Sequence, residues 1–417
     1  MRLMLAAVLF LATIASADVP VEKIGQVESL PEPFSSNWFW ASDPVLERVS
    51  LVDFSHNRVL GSIDGGWGIT VPLFPQRNSL EFYVPETHYS RGSRGERSDV
   101  VTFYDSKTLT PTAEVIIPAK RAHNALPNAN ATLTDDEQFL AVFNMNPAQS
   151  ISIVDVINRR FIEEIATPGC SLTYAAGARR IMMFCGDGTL LFVSLKPDGS
   201  LQDKQRTEKL FDPQKDPLAE KGIRVDQTWY FVSFDGYLYA IDLDQPLDNT
   251  AAMFSEPWSL IDDAERQEQW RVGGRQFLAI HNASQEVFVL MHKGATDTHK
   301  TGGTHLWKFN LSTHHKISEH KLISPGFSFS GVPTEFGTDW IWPLNKIYNV
   351  LTGFSFQEPH ARPDAIVVTQ GNNPTLILGG QFSGMVAIYA ASDMAFKHRV
   401  TTGNYSNLVL QLPGWGR

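Results

Sequence analysis

Ile151-Ser-Ile-Val-Asp155, followed after a short turn by Arg160-Phe-Ile-Glu-Glu-Ile165, is the stretch whose repetition decides the fold. A mostly apolar run ends at an Asp, the chain turns, and a second run returns, which is the pattern of two short antiparallel strands. Another apolar run, Phe139-Leu-Ala-Val-Phe143, precedes the pair. Toward the N-terminus the same unit reads Arg48-Val-Ser-Leu-Val-Asp53 with Arg58 to Ile63, and Val100-Val-Thr-Phe-Tyr-Asp105 with Ala113 to Ile117. Toward the C-terminus it reads Leu190-Leu-Phe-Val-Ser-Leu195, Tyr237-Leu-Tyr-Ala-Ile-Asp242, His305-Leu-Trp-Lys-Phe-Asn310 with Lys316 to Leu322, and Met385-Val-Ala-Ile-Tyr389 with Phe396 to Val400. That makes seven copies.

Most copies have an apolar strand before them, as in Arg180 to Phe184, Trp229 to Ser233, Glu286 to Leu290 and Thr375 to Leu378. Asp187-Gly188 and Asp235-Gly236 fall between such strands, a strong hairpin signal. Three or four short strands repeated seven times predict an all-β, seven-bladed β-propeller. A pair of β-sandwiches also has short strands and turns, but it does not require seven similar units. The best helix candidate is Trp258 to Trp270, with Asp262, Asp263 and Glu265, placed between two copies. Asp53, Asp105, Asp155 and Asp242 at strand ends are read as turn residues bonding their own backbone rather than as metal ligands.

The composition agrees with a large globular core: of 417 residues 43% are hydrophobic and 19% charged, which excludes a disordered or fibrous chain. The net charge is 35 − 45 = −10 without a basic run, so the electrostatic footprint of a nucleic-acid binder is missing. Residues 1–17 are read as a signal peptide: Arg2, the apolar run Leu3 to Ile14, then Ala15-Ser16-Ala17 before Asp18. The run is too short for a membrane span, so an exported chain without membrane segments is expected, with residues 18–417 as one propeller domain. In an oxidising compartment the two cysteines, Cys170 and Cys185, are best read as one disulfide.

Motifs that carry local chemistry are missing: there is no H-E-x-x-H, G-x-S-x-G, G-x-G-x-x-G after a strand, or P-loop. No metal site is expected, and the pair His314-His315 sits in a predicted hairpin turn where solvent exposure is the default. Two segments stand out. One places Arg91, Arg94 and Arg97 at three-residue intervals in the long connection from His88 to Asp99, where they could clamp a loop onto carboxylates or dock a partner. The other is Ile63-Asp-Gly-Gly-Trp-Gly68, whose glycines suit a tight loop presenting Trp67, although a buried packing role is equally open.

The segment Ser90-Arg-Gly-Ser-Arg-Gly-Glu-Arg-Ser-Asp-Val-Val101, with Phe103-Tyr-Asp105 and Leu109-Thr-Pro-Thr-Ala113, resembles the heavy (large) subunit of the quinoprotein amine dehydrogenases, methylamine and aromatic amine enzymes alike. Ile63 to Trp67, Ser150 to Val156, Phe184 to Leu191, Trp270-Arg-Val-Gly-Gly274 and Thr298-His-Lys300 support it in collinear order. The resemblance implies a periplasmic propeller subunit of a heterotetramer of two large and two small chains. The small subunit would carry tryptophan tryptophylquinone and oxidise a primary amine to aldehyde and ammonia, with electrons passed to a copper protein (cupredoxin) or a cytochrome. On that reading no catalytic residue or cofactor lies in this chain. Trp67 falls where the family places an aromatic reaching toward the substrate channel, and Cys170 and Cys185 match the pair that the family bridges. The arginine loop matches a motif with no role assigned.

Residues 325–364, rich in Pro, Gly, Phe and Trp, are read as an insertion longer than the family's link between its last two blades. Two rival readings are a lactonase-like propeller hydrolase, which would need inner-strand acid/base groups or a metal, and a non-catalytic interaction propeller.

Overall fold

The computed structural model describes residues 29–31, 35–68, 71–76, 80–123, 128–247, 249–323, 362–381 and 383–412. These form seven antiparallel sheets in chain order, a seven-bladed β-propeller. Each of the seven sequence copies supplies the third strand of one blade: Arg48–Asp53, Arg97–Asp105, Ser150–Asp155, Leu190–Leu195, Tyr237–Asp242, His305–Asn310 and Met385–Ala390. In blades 1 and 2 these are the second strands in chain order, because the innermost position is filled from elsewhere in the sequence. Val409–Gln411 pairs with Trp38–Asp43 as the innermost strand of blade 1, closing the ring. In blade 2 the inner position is held by Leu73, bridged to Tyr83.

Stacking explains the patterning. Blades pack face to face, so their middle strands are apolar on both faces, and every residue of Phe139–Asn144 and Ser150–Asp155 is buried. Outer strands face solvent on one edge, and Leu201-Gln-Asp-Lys-Gln-Arg206 and Lys316-Ile-Ser-Glu-His-Lys321 carry the charges that discourage edge pairing. The core is therefore divided between neighbouring blades. One cluster joins Phe139 and Ile153 of blade 3 to Ile181 and Val193 of blade 4, and another joins Phe39 and Val52 of blade 1 to Ile377 and Ile388 of blade 7.

The predicted helix is shorter than its sequence window. Asp263–Gln267 is helical, started by a capping box between Asp262 and Glu265, while Trp258–Ser259 and Trp270–Val272 at either end pair as strands of blades 5 and 6. The large Trp side chains at those ends are worth more in the blade interfaces than in a longer helix. A second one-turn helix, Thr250–Met253, is capped by Asn249. No helix among the described residues is long and apolar enough to cross a membrane. The signal-peptide window 1–17 and residues 325–361 of the expected insertion lie outside the described residues, while Pro363 and Asp364 begin the first strand of blade 7.

Alternating strand directions bring two kinds of connection to one face: the turns between second and third strands, and the links from an outer strand to the next blade. Trp67, the loop Ser90–Glu96, residues 118–123 and the Cys170–Cys185 pair all lie on that face.

Candidate functional site

The Gly65-Gly-Trp-Gly68 segment leaves blade 1 and runs against blade 2 through two close approaches. At Gly66, with φ +69°, a Cβ would sit 2.4 Å from the Thr87 carbonyl oxygen, and at Gly68, with φ +94°, one would sit 2.2 Å from the His123 carbonyl oxygen. Only glycine fits both the backbone conformation and the gap. Between them the Trp67 amide donates to the Thr87 carbonyl at 2.7 Å. The Trp67 ring is half-buried and meets Tyr89 edge-on with centroids 6.4 Å apart, and Tyr89 in turn meets His123 at 6.2 Å. A glycine-framed aromatic group therefore stands on the face, partly open to solvent.

Beneath it lies a buried polar network. Asp99, fully buried, receives both Nε and Nη2 of Arg97 at 2.9 and 2.7 Å, the Arg121 amide at 2.7 Å and the Thr87 hydroxyl at 2.9 Å. Arg97 also donates to the Arg121 carbonyl at 2.7 Å, and Arg121 Nε donates to Thr87 Oγ1 at 3.0 Å. Arg121 Nη2 reaches the Trp67 carbonyl at 3.5 Å, the outer limit of a hydrogen bond. Burial pulls the Arg121 guanidinium down to about 10, with Asp99 opposing, so it stays charged at neutral pH. Burial likewise lowers the His123 imidazole, which favours its neutral form.

The three loop arginines therefore separate. Arg97 is the clamp, because alternate residues of a strand share a face and Asp99 is two positions on. Arg91 and Arg94 stand exposed at the tip of a turn closed by the Arg91 amide, which donates to the Arg94 carbonyl, and by the Glu96 amide, which donates to Ser90 Oγ. Thr87, Tyr89, Asp99, Arg121 and His123 were not singled out by the sequence. Only the Arg97-x-Asp99 spacing carried a signal that could have found one of them.

Cys170 and Cys185 are bonded to each other across the first two strands of blade 4, where they are direct partners in register. The strand-end aspartates act as turn residues: Asp53 Oδ1 accepts the amides of Ser55 and His56, Asp105 Oδ1 those of Lys107 and Thr108, and Asp155 Oδ1 those of Ile157 and Asn158. Asp242 Oδ1 accepts from the Asp244 amide. Among the described residues no three His, Cys, Asp or Glu side chains gather as a metal site. His314 adopts φ +60° in its turn and stacks on Trp258 with centroids 4.7 Å apart, a packing role. A cavity of about 100 Å³ is lined by Leu73, Tyr174, Lys221, Trp229 and Gln411, among others.

The family model for the methylamine dehydrogenase heavy chain (MADH) matches residues 41–324. The chain is similar to the methylamine dehydrogenase heavy chain of Methylorubrum extorquens, with 27% identity over 335 residues, 77% of this chain and 80% of that protein. It is 26% identical to the heavy chain of Methylobacillus flagellatus over 338 residues, covering 80% and 81% of the two chains. Among solved structures, the β-propeller domain of Myceliophteria thermophila Cps50 (Swd1) aligns with a TM-score of 0.52 at 8% identity, covering 86% of this chain and 97% of that one, a likeness of fold alone. The collinear match across the first six blades settles the family: the chain belongs to the methylamine dehydrogenase heavy chain family.

Proposed function

We propose that this chain is the large subunit of a periplasmic quinoprotein amine dehydrogenase, acting as scaffold and as one wall of the substrate channel, in a heterotetramer of two large and two small chains. The observation that carries the reading is the family match over residues 41–324, which includes the whole Trp67 region and its supporting network. It also favours an amine dehydrogenase subunit over a propeller hydrolase or a purely structural propeller.

The chemistry belongs to a partner. Tryptophan tryptophylquinone, formed from two tryptophans of the small subunit, is the group that would oxidise the primary amine to aldehyde and ammonia before electrons leave to a cupredoxin or cytochrome. Among the described residues Trp270 and Trp307 touch, with centroids 5.1 Å apart, and they do not fit such a group. Both rings are buried in blade 6, and Lys293 and Lys316 cover them at 5.0 and 4.0 Å.

What this chain contributes is shape. A half-open aromatic such as Trp67, held from its amide side by Thr87 and backed by Tyr89, which itself meets His123, excludes water and limits the side chain of an entering amine. Purification from the native periplasm, with subunit masses and a visible spectrum, tests the assignment. A co-purifying small chain whose quinone absorption bleaches on adding a primary amine is expected. A lone, colourless chain would overturn it.

A further inference from the structure

Two sequence segments that the channel reading leaves unused, Trp270 to Gly274 and Thr298 to Lys300, converge on a second pocket of the same face, between blades 5 and 6. The convergence is built in. Gly274, at φ +122°, lies so close to Asp364 that a Cβ would come within 2.7 Å of its carbonyl oxygen, and the Gly274 amide donates to the His299 carbonyl at 3.1 Å. The Arg275 and Gln276 amides both donate to the Asp364 carbonyl, at 2.7 and 2.9 Å. These bonds fix the backbone on either side of a cavity of about 250 Å³ lined by Glu220, Lys221, Phe234, Arg275, Phe277, His299 and Lys300 among its residues.

Three cations face one carboxylate in that lining. Lys221, with a side chain only 7% exposed, uses two of its three donors on Glu220 Oε1 at 3.4 Å and on the Arg275 carbonyl. The Arg275 guanidinium and the Lys300 ammonium make no hydrogen bond or ion pair among the described residues, although Arg275 feels the charge of buried Asp364. The His299 ring lies flat on Phe234, with centroids 3.7 Å apart and 17° between planes, and its buried Nδ1 has no hydrogen-bond partner among the described residues. A buried polar atom with no partner among the described residues, beside two cations likewise unpaired there and a flat aromatic wall, is an arrangement that suits an anion.

We propose that this pocket binds a small organic carboxylate, with Arg275, Lys300 and the remaining Lys221 donor on the carboxylate, His299 Nδ1–H as a further donor, and the Phe234–His299 stack against a planar hydrocarbon part. The neutral imidazole that burial favours at His299 can present that N–H without adding charge. A cationic amine is repelled by the same lining, so this site is separate from the amine channel and does not depend on the amine dehydrogenase reading.

Isothermal titration of the full-length mature chain with benzoate and with acetate tests the proposal, using Arg275→Gln and the surface variant Lys300→Gln. Saturable benzoate binding, tighter than that of acetate, is expected, together with about a tenfold loss in Arg275→Gln, a smaller loss in Lys300→Gln, and no competition from methylammonium. No saturable benzoate binding would overturn the site, as would equal binding by both variants and the unaltered chain, or displacement by methylammonium. Should Arg275→Gln fail to fold, the Lys300→Gln comparison still decides, because Lys300 is exposed and holds no side-chain bond among the described residues.

Discussion

The Trp67 amide and the Thr87 carbonyl are joined at 2.7 Å, and the same Thr87 gives its hydroxyl to Asp99, so the exit of blade 1 is tied to a buried carboxylate of blade 2 through one residue. The tie depends on glycines that let the loop approach. Gly68→Ala puts a methyl group 2.2 Å from the His123 carbonyl at a φ of +94°. We expect a loss of about 1–3 kcal/mol in unfolding free energy and a shift in tryptophan fluorescence as the loop lifts. Denaturant titration read by fluorescence checks both, and an unaltered midpoint would contradict the close approach.

The loop arginines should separate in stability as they do in geometry. Arg97→Ala leaves Asp99 buried with one bidentate partner gone, which costs about 3–5 kcal/mol. Arg91→Ala and Arg94→Ala, at an exposed turn, should stay within about 0.5 kcal/mol of the unaltered chain. Chemical denaturation of the three variants under one set of conditions makes the comparison, and equal losses would refute the division of roles.

Trp67→Ala removes the half-buried ring that faces Tyr89 while leaving the amide bond to Thr87 intact. If the ring is a channel wall, kcat/KM for bulky aromatic amines should rise relative to short aliphatic amines by about tenfold, the scale on which pocket shape discriminates. The measurement is a substrate series on the assembled enzyme. A uniform fall across the series, or no change, would remove Trp67 from the specificity wall.

The middle strands were legible because burial on both faces forces a run such as Ile151 to Asp155 to be apolar and β-prone, and because the Asp at its end needs two nearby amides. Inner strands were not. Ala131–Leu133, Ile223–Val225 and Val409–Gln411 are three residues each, too short for any periodicity, and the last pairs with a strand at the opposite end of the chain. The same limit applies to the site. Gly66, Trp67 and Gly68 announce themselves as a local cluster, whereas Thr87, Arg121 and His123 meet them only through blade packing, and nothing in their own neighbourhoods distinguishes them from ordinary strand and loop residues.

His292 gives the fold an acid sensitivity that can be isolated. Its ring is buried, Nε2 sits 2.9 Å from Thr298 Oγ1, Nδ1 has no hydrogen-bond partner among the described residues, and among those residues Arg362 and Arg271 are the charged groups that act on it. Burial, reinforced by those two cations, pushes the imidazole from its ordinary 6.5 down to about 4. A histidine with a depressed value in the folded chain is held neutral there, while in the unfolded chain it binds a proton from about pH 6.5 downward. Its contribution is thus complete above pH 6.5 and is lost as pH falls from 6.5 toward 4, by about 3 kcal/mol over the full window. His292→Gln keeps a polar side chain that does not titrate, so its urea unfolding free energy should fall less between pH 7 and pH 4.5 than that of the unaltered chain. The variant's lower starting stability does not affect this test, because the slope with pH is the readout. Parallel slopes in the two proteins would mean that His292 is not among the groups whose protonation unfolds the propeller.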